Sequence, residues 1–151
     1  MATDERPSQD SQADGQPRVP DFTGIAGLSM NKSLFQLAGH EDIMARVLRL
    51  FAENYRDGLP ALDGLLQVGR WQEARLQLHA LRGSCGAAGA GDLTAQARRL
   101  EIRLLEAAAL DAAAAAALRQ EAGDLNQALI RLARAITERL AAAAGQGGGP
   151  A

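Results

Sequence analysis

The chain has 151 residues and a formal net charge of -2, and 47% of its residues are hydrophobic while only 3% are aromatic. That length suits a single domain, and a composition rich in Leu and Ala favours packed helices over a β-sheet. The small net charge and the scattered positions of the 15 Arg and one Lys argue against a nucleic-acid partner. The chain has no run of 18 apolar residues and no secretory signal, so we expect a cytoplasmic protein without membrane insertion.

Both ends of the chain have compositions that do not favour folding. Residues 1–21 carry five acidic and two basic residues together with three prolines. So few apolar residues cannot offset the entropy lost on ordering, which predicts a disordered tail or linker. Residues 144–151 are rich in glycine and are predicted to form a second disordered tail. The folded domain is therefore expected at 22–143.

Between these ends lie four long stretches with helical periodicity and no alternating strand pattern. The first begins near Glu41 and is expected to bend or break at Gly58 and Pro60, then to continue through a less regular apolar pattern. Its predicted core residues are Ile43, Val47, Leu50, Phe51, Leu62, Leu65 and Leu66. A short additional helix is predicted before it, at 32–37.

The second predicted helix, 71–88, has apolar residues spaced 3, 4, 3, 4, 3, as in the seam of a helical bundle: Trp71, Ala74, Leu78, Leu81, Cys85 and Ala88. The third follows Asp92, a good N-cap residue, and the fourth starts at Asp111. Their predicted core residues are Leu93, Ala97, Leu100 and Leu104, and then Leu125, Leu129, Leu132, Ile136 and Leu140. Short connections favour antiparallel neighbours, so we predict an all-α fold, an antiparallel up-down four-helix bundle with the short additional N-terminal helix.

The residues that commonly bind metals are few. Cys85 is the only cysteine and falls on the apolar seam, so it is interpreted as a small core residue. His40, His79 and Cys85 do not have the spacing of metal ligands. The sequence therefore predicts no metal and no other cofactor on this chain.

One histidine lies on the outer face of the second helix. At ~100° per residue, His79 is roughly 130° and Gly83 roughly 170° from the centre of the seam, so both face away from the core. Gly83 removes the side chain that would crowd the imidazole from the next turn, and Gly86 clears the turn after it. Arg82 can supply a cation for an anionic group. The other residues on or beside this face are Gln72, Leu76 and Arg75, of which apolar Leu76 suits a docking surface.

The stretch "HALRGSCGAAG", residues 79–89, resembles the motif of the histidine-phosphotransfer (HPt) domain family: His, any residue, Leu, Lys or Arg, Gly, and then Gly about six residues later. "AGHEDIMARVLRLFAENY" is similar to the first long helix of that family, and "LTAQARRLE" is similar to the helix after the motif. The resemblance covers roughly 22–140. The sequence differs from the family pattern at Arg82, where lysine is more common.

The resemblance implies a monomeric phosphorelay intermediate with no ATP site. His79 would accept a phosphoryl group from a receiver-domain aspartyl phosphate and pass it to the aspartate of another receiver. The implied partners are response-regulator receiver domains and a hybrid histidine kinase, and Mg²⁺ is expected on the receiver. By the family pattern Nε2 attacks, and Glu101 is a candidate for orienting the imidazole through the other nitrogen. The alternative for Glu101 is an ion pair with Arg98 or another exposed arginine.

Two other functions remain open from sequence. The chain could be an adaptor that binds a receiver or a kinase through the same face without being phosphorylated, although the intact His79 argues against this. It could also be the phosphate-accepting domain of a chemotaxis-type kinase, whose catalytic domains are absent from the sequence. Whether the domain is free-standing or the C-terminal part of a hybrid kinase is likewise left open.

Overall fold

The computed structural model describes residues 22–29 and 41–147. The helices are α1 (Glu41–Asn54), α2 (Leu62–Gln67), α3 (Trp71–Ala88), α4 (Gly91–Leu105) and α5 (Ala112–Gly147), with a 3-10 helix at Ala107–Ala109. No strand occurs in the described ranges, so the all-α prediction is confirmed. The predicted tail at 1–21 and the predicted short helix at 32–37 lie outside the described residues. None of the described helices is long and apolar enough to cross a membrane.

The register of α1 differs from the prediction. Its buried residues are Met44, Leu48, Phe51 and Ala52, whereas Ile43 is exposed and Leu50 is 58% exposed. The expectation that Ile43 and Leu50 belong to the core was therefore wrong. Two apolar stripes run along this helix, and periodicity alone does not decide which of them faces the bundle, because neighbouring helices determine that choice.

The break predicted in the first element is confirmed at Gly58 and Pro60. Helix α1 ends at Asn54 and α2 begins at Leu62, and Gly58 adopts φ +68°, a left-handed conformation that favours glycine. The Leu59 N–H donates a hydrogen bond of 2.6 Å to Asn126 Oδ1 on α5. This side chain supplies a partner for a backbone group at the break between α1 and α2.

The seam predicted on α3 is the buried face of that helix. Ala74, Leu78, Leu81, Cys85 and Ala88 are all buried, and Trp71 packs against the core while partly exposed. Burial raises the pKa of the Cys85 thiol to about 12. The thiolate form is therefore suppressed near neutral pH, as expected for a structural core cysteine.

A sharp turn joins α3 to α4. Gly89 follows the last residue of α3 with φ +81°, the Ala90 N–H donates to Cys85 O at 2.8 Å, and the Gly89 N–H donates to Gly86 O at 3.2 Å. These two bonds are those of a Schellman motif, which reverses the chain after a helix. Asp92 lies in the first turn of α4, and no side chain caps that helix, so the prediction of Asp92 as N-cap was wrong.

This turn gives a stability prediction. Replacing Gly89 with Ala should lower the free energy of unfolding by about 1–2 kcal/mol, because a left-handed residue with a Cβ carries that strain. Gly86→Ala is the matched control: a Cβ there has no atom within 4 Å, so it should raise helix stability by up to about 1 kcal/mol. Urea unfolding measures both. Equal effects of the two substitutions would contradict the role of Gly89.

Helix α5 begins where it was predicted and ends later. The Ala114 N–H donates to Asp111 Oδ1 at 2.7 Å, so Asp111 caps the start of the helix. Leu125, Leu129, Leu132 and Ile136 are buried, and Leu140 is partly buried against the core. The helix continues to Gly147, so the predicted tail at 144–151 begins with helical residues. Ion pairs join α5 to α2 through Arg119 and Asp63 and to α4 through Arg103 and Glu121.

Candidate functional site

His79 lies midway along α3 with 57% of its side-chain surface exposed. Its position agrees with the outward orientation expected from the seam. Nδ1 lies 2.9 Å from Glu101 Oε1, on α4. Because the turn at Gly89 folds α4 back along α3, a residue 22 positions later in the chain reaches the ring. The imidazole is thus exposed to solvent but fixed at one nitrogen.

The contact between His79 and Glu101 determines the tautomer of the imidazole. A carboxylate oxygen accepts hydrogen bonds and cannot donate one when ionised. A lone pair on Nδ1 facing that oxygen at 2.9 Å would be repulsive, so the proton belongs on Nδ1 and is donated to Glu101. The neutral ring then carries its lone pair on Nε2, for which the described residues provide no hydrogen-bond partner.

Glu101 is the only charged residue that is buried among the described residues, with 8% exposure. A buried carboxylate is costly unless charges or hydrogen bonds compensate it. Here Oε1 accepts from His79, and Oε2 lies 3.2 Å from Arg82 Nη1. Glu101 therefore contacts both His79 and an arginine. The arginine is Arg82, whereas the sequence had suggested Arg98 or another exposed arginine.

The guanidinium of Arg82 lies beside the imidazole. Its Nη2 is 3.4 Å from His79 Nδ1, but Nδ1 directs its proton at Glu101 and has no lone pair to accept a second one. The contact therefore places a positive charge next to the ring without a hydrogen bond to it. Arg82 is partly exposed, with 34% of its side-chain surface open to solvent.

The two glycines after His79 leave open space above the helix. A Cβ built at Gly83 or at Gly86 would have no neighbouring atom within 4 Å. Neither glycine is required by backbone conformation, because neither has a positive φ. Because glycine has no side chain, a partner molecule can approach the backbone of the helix closely at these two positions.

The remaining predicted residues of α3 form no hydrogen bond or ion pair with the imidazole of His79 within the described part of the chain. Leu76 is exposed on the outer face, Gln72 is exposed one turn earlier, and Arg75 is partly exposed on the flank. The described contacts contain no hydrogen bond from Gln72, Leu76 or Arg75 to the imidazole.

Helix α4 carries two exposed apolar residues that were not predicted for the site. Ile102 is exposed next to Glu101, and Leu105, one turn further on, is 66% exposed. A groove of about 520 Å³ continues along the hairpin past Gly86 and is lined by Arg98 and Ile102, among others. The available signal was the pair of apolar residues in "EIRLLE" that the seam of α4 does not use.

No group of three potential metal ligands comes together within the described residues. His40, the other histidine, lies outside them. The site thus consists of an exposed imidazole, a buried carboxylate in contact with its Nδ1 and a guanidinium beside it.

An all-α bundle with an exposed, carboxylate-paired histidine in the middle of one helix agrees with the phosphoryl-accepting helical domain expected from the sequence. Residues 46–144, more than half of the chain, match the model of the Hpt domain family. The chain is a member of the Hpt domain family, whose members are histidine-phosphotransfer modules of phosphorelays. Comparisons with curated proteins and with solved structures gave no match.

Proposed function

We propose that this protein relays a phosphoryl group between receiver-domain aspartates, with His79 as the phosphorylated residue. The observation that carries the proposal is the 2.9 Å contact of Nδ1 with Glu101, since it leaves the Nε2 lone pair available on an exposed ring. An exposed histidine without such a partner would populate both tautomers. Glu101 is thus assigned as a positioning residue.

The transfer step uses the charges around the ring. The Nε2 lone pair forms the N–P bond, the O–P bond to the receiver aspartate breaks, and its electron pair remains on the aspartate carboxylate. The ring gains a positive charge during this step, which the Glu101 carboxylate stabilises, and Arg82 offsets the negative charge of the phosphoryl oxygens. The chain supplies no metal for this step in our proposal, and Mg²⁺ is contributed by the receiver.

The proposed receiver footprint is the outer face of the α3–α4 hairpin. Gly83 leaves room for the receiver's active-site region beside the imidazole, and the exposed apolar side chains of Leu76, Ile102 and Leu105 belong to the same α3–α4 hairpin. Exposed apolar side chains together with polar groups are typical of protein interfaces. The upstream partner would be a hybrid histidine kinase and the downstream partner a response regulator, both acting in the cytoplasm.

The proposal is tested by mixing the protein with a panel of receiver domains charged with acetyl phosphate and Mg²⁺. We expect one phosphoryl group on the protein, labile in acid and stable in base, and mapped to His79 by mass spectrometry. A stable complex with a receiver but no such label would instead favour the adaptor function. Label on another residue would contradict the assignment of His79.

Replacing Glu101 with Leu should slow the phosphorylation of His79 substantially. Carboxylates that orient functional histidines in metal sites contribute about 10- to 100-fold, and we expect a loss in that range. Glu101→Gln keeps an oxygen that accepts from Nδ1 and should lose less. ¹⁵N NMR of the imidazole checks the cause, because only Glu101→Leu should increase the Nε2–H tautomer. An unchanged tautomer together with a slowed reaction would contradict the positioning role.

A further inference from the structure

We propose that Arg82 changes partner when His79 is phosphorylated, leaving Glu101 and pairing with the phosphoryl group. This inference rests on the proposed function and goes beyond it, since it makes the phosphate contact of Arg82 a consequence of the reaction.

When the imidazole is in the neutral form that can attack phosphorus, Arg82 is the one charged partner of Glu101 among the described residues. The ion pair of the site then joins Glu101 Oε2 to Arg82 Nη1 at 3.2 Å. This contact lacks hydrogen-bond geometry, and Oε2, although buried, accepts no hydrogen bond within the described part of the chain. Arg82 is therefore held near Glu101 by charge and not by directional bonds, which makes the contact easy to break.

Phosphorylation changes the charges on both sides of the ring. The neutral ring donates the Nε2 lone pair to phosphorus and keeps its proton on Nδ1, so the product is a ring cation that carries a phosphoryl dianion. The ring cation lies 2.9 Å from Glu101 Oε1 and becomes a charged partner of the carboxylate. The dianion on Nε2 becomes the strongest anion near Arg82.

The geometry allows the guanidinium to move between the two anions. Arg82 Nη2 already lies 3.4 Å from the ring, and its side chain is partly exposed. Glu101 is buried and contacts the ring at Nδ1, whereas the phosphoryl group would be attached at Nε2 of a side chain that is 57% exposed. A rearrangement of the side chain of Arg82 is therefore sufficient, and the backbone of α3 does not have to move.

The exchange is tested by a double-mutant cycle in both states of the protein. Arg82→Ala, Glu101→Gln and the double variant are unfolded in urea before and after phosphorylation with potassium phosphoramidate, which needs no receiver. We expect the shifts of the urea midpoint to be non-additive before phosphorylation and additive after it. The control cycle, Arg103→Ala with Glu121→Gln, removes an ion pair between α4 and α5 and should give the same coupling in both states.

A second measurement does not depend on unfolding. In ³¹P NMR, Arg82→Ala should raise the pH midpoint at which the phosphoryl resonance titrates, because a cation beside the phosphate is lost. Arg103→Ala should leave that midpoint unchanged. Coupling between Arg82 and Glu101 that persists after phosphorylation, or an unmoved ³¹P midpoint in Arg82→Ala, would overturn the exchange alone. No label on His79, from either phosphoramidate or charged receivers, would overturn the proposed function and the exchange with it.

Discussion

The His79→Gln variant is expected to take up no phosphoryl group from charged receivers or from phosphoramidate, while folding as the unmodified chain does. The ring nitrogen that forms the N–P bond is absent from the glutamine side chain. Glutamine retains an N–H that can donate to Glu101, so the buried carboxylate keeps a neutral partner besides Arg82. We therefore expect the free energy of unfolding to change by no more than about 1 kcal/mol, the usual net value of one hydrogen bond.

His40→Gln is the matched control, since His40 is the only other histidine of the chain. This variant should be labelled at the same rate as the unmodified protein. Acid-labile, base-stable phosphate on His79→Gln would show that another residue accepts the group. Loss of label in both variants would point to an indirect effect and would contradict the assignment.

Gly83→Leu is expected to block transfer from receivers while leaving small donors almost unaffected. A side chain here enters open space, so the fold should tolerate it. Leucine lies one helical turn after His79 and would keep a receiver from bringing its aspartyl phosphate into line with Nε2. Displacements of about 1 Å can cost roughly 100-fold in rate, and we expect a loss of at least that size with receivers. Phosphoramidate, which is far smaller, should still label His79.

Gly123→Leu in α5 provides the comparison for this variant. Gly123 is exposed and helical, and a Cβ there also meets no atom within 4 Å. Both substitutions should stabilise their helix by about 1 kcal/mol through propensity, and only Gly83→Leu should slow transfer. If receivers phosphorylate Gly83→Leu at the normal rate, they do not approach over this part of α3.

The parts of the fold that the sequence predicted well are those in which one local pattern determines the result. The apolar residues of α3 are spaced so that they form a single face. The burial of Leu78, Leu81 and Cys85 and the exposure of His79 therefore follow from helix geometry. The break at Gly58 and Pro60 and the cap at Asp111 also depend on nearby residues. Such features are predictable because they depend mainly on the local sequence.

The parts that the sequence did not predict depend on contacts between helices. Ile43 and Leu50 on α1 have the same hydrophobicity as residues in the core, and only the position of the neighbouring helices decides that Met44 and Leu48 are buried instead. The choice of Arg82 over Arg98 as the partner of Glu101 likewise depends on how α4 lies against α3. When a helix has two possible apolar faces, a single sequence does not determine how that helix is rotated about its own axis in the bundle.

The two-residue turn between α3 and α4 affects how the site forms during folding. Because His79, Arg82 and Glu101 all belong to one continuous helical hairpin, their arrangement depends on contacts between residues that are near in sequence. Contacts of this kind form quickly during folding. The arrangement of these three side chains can therefore form early in folding.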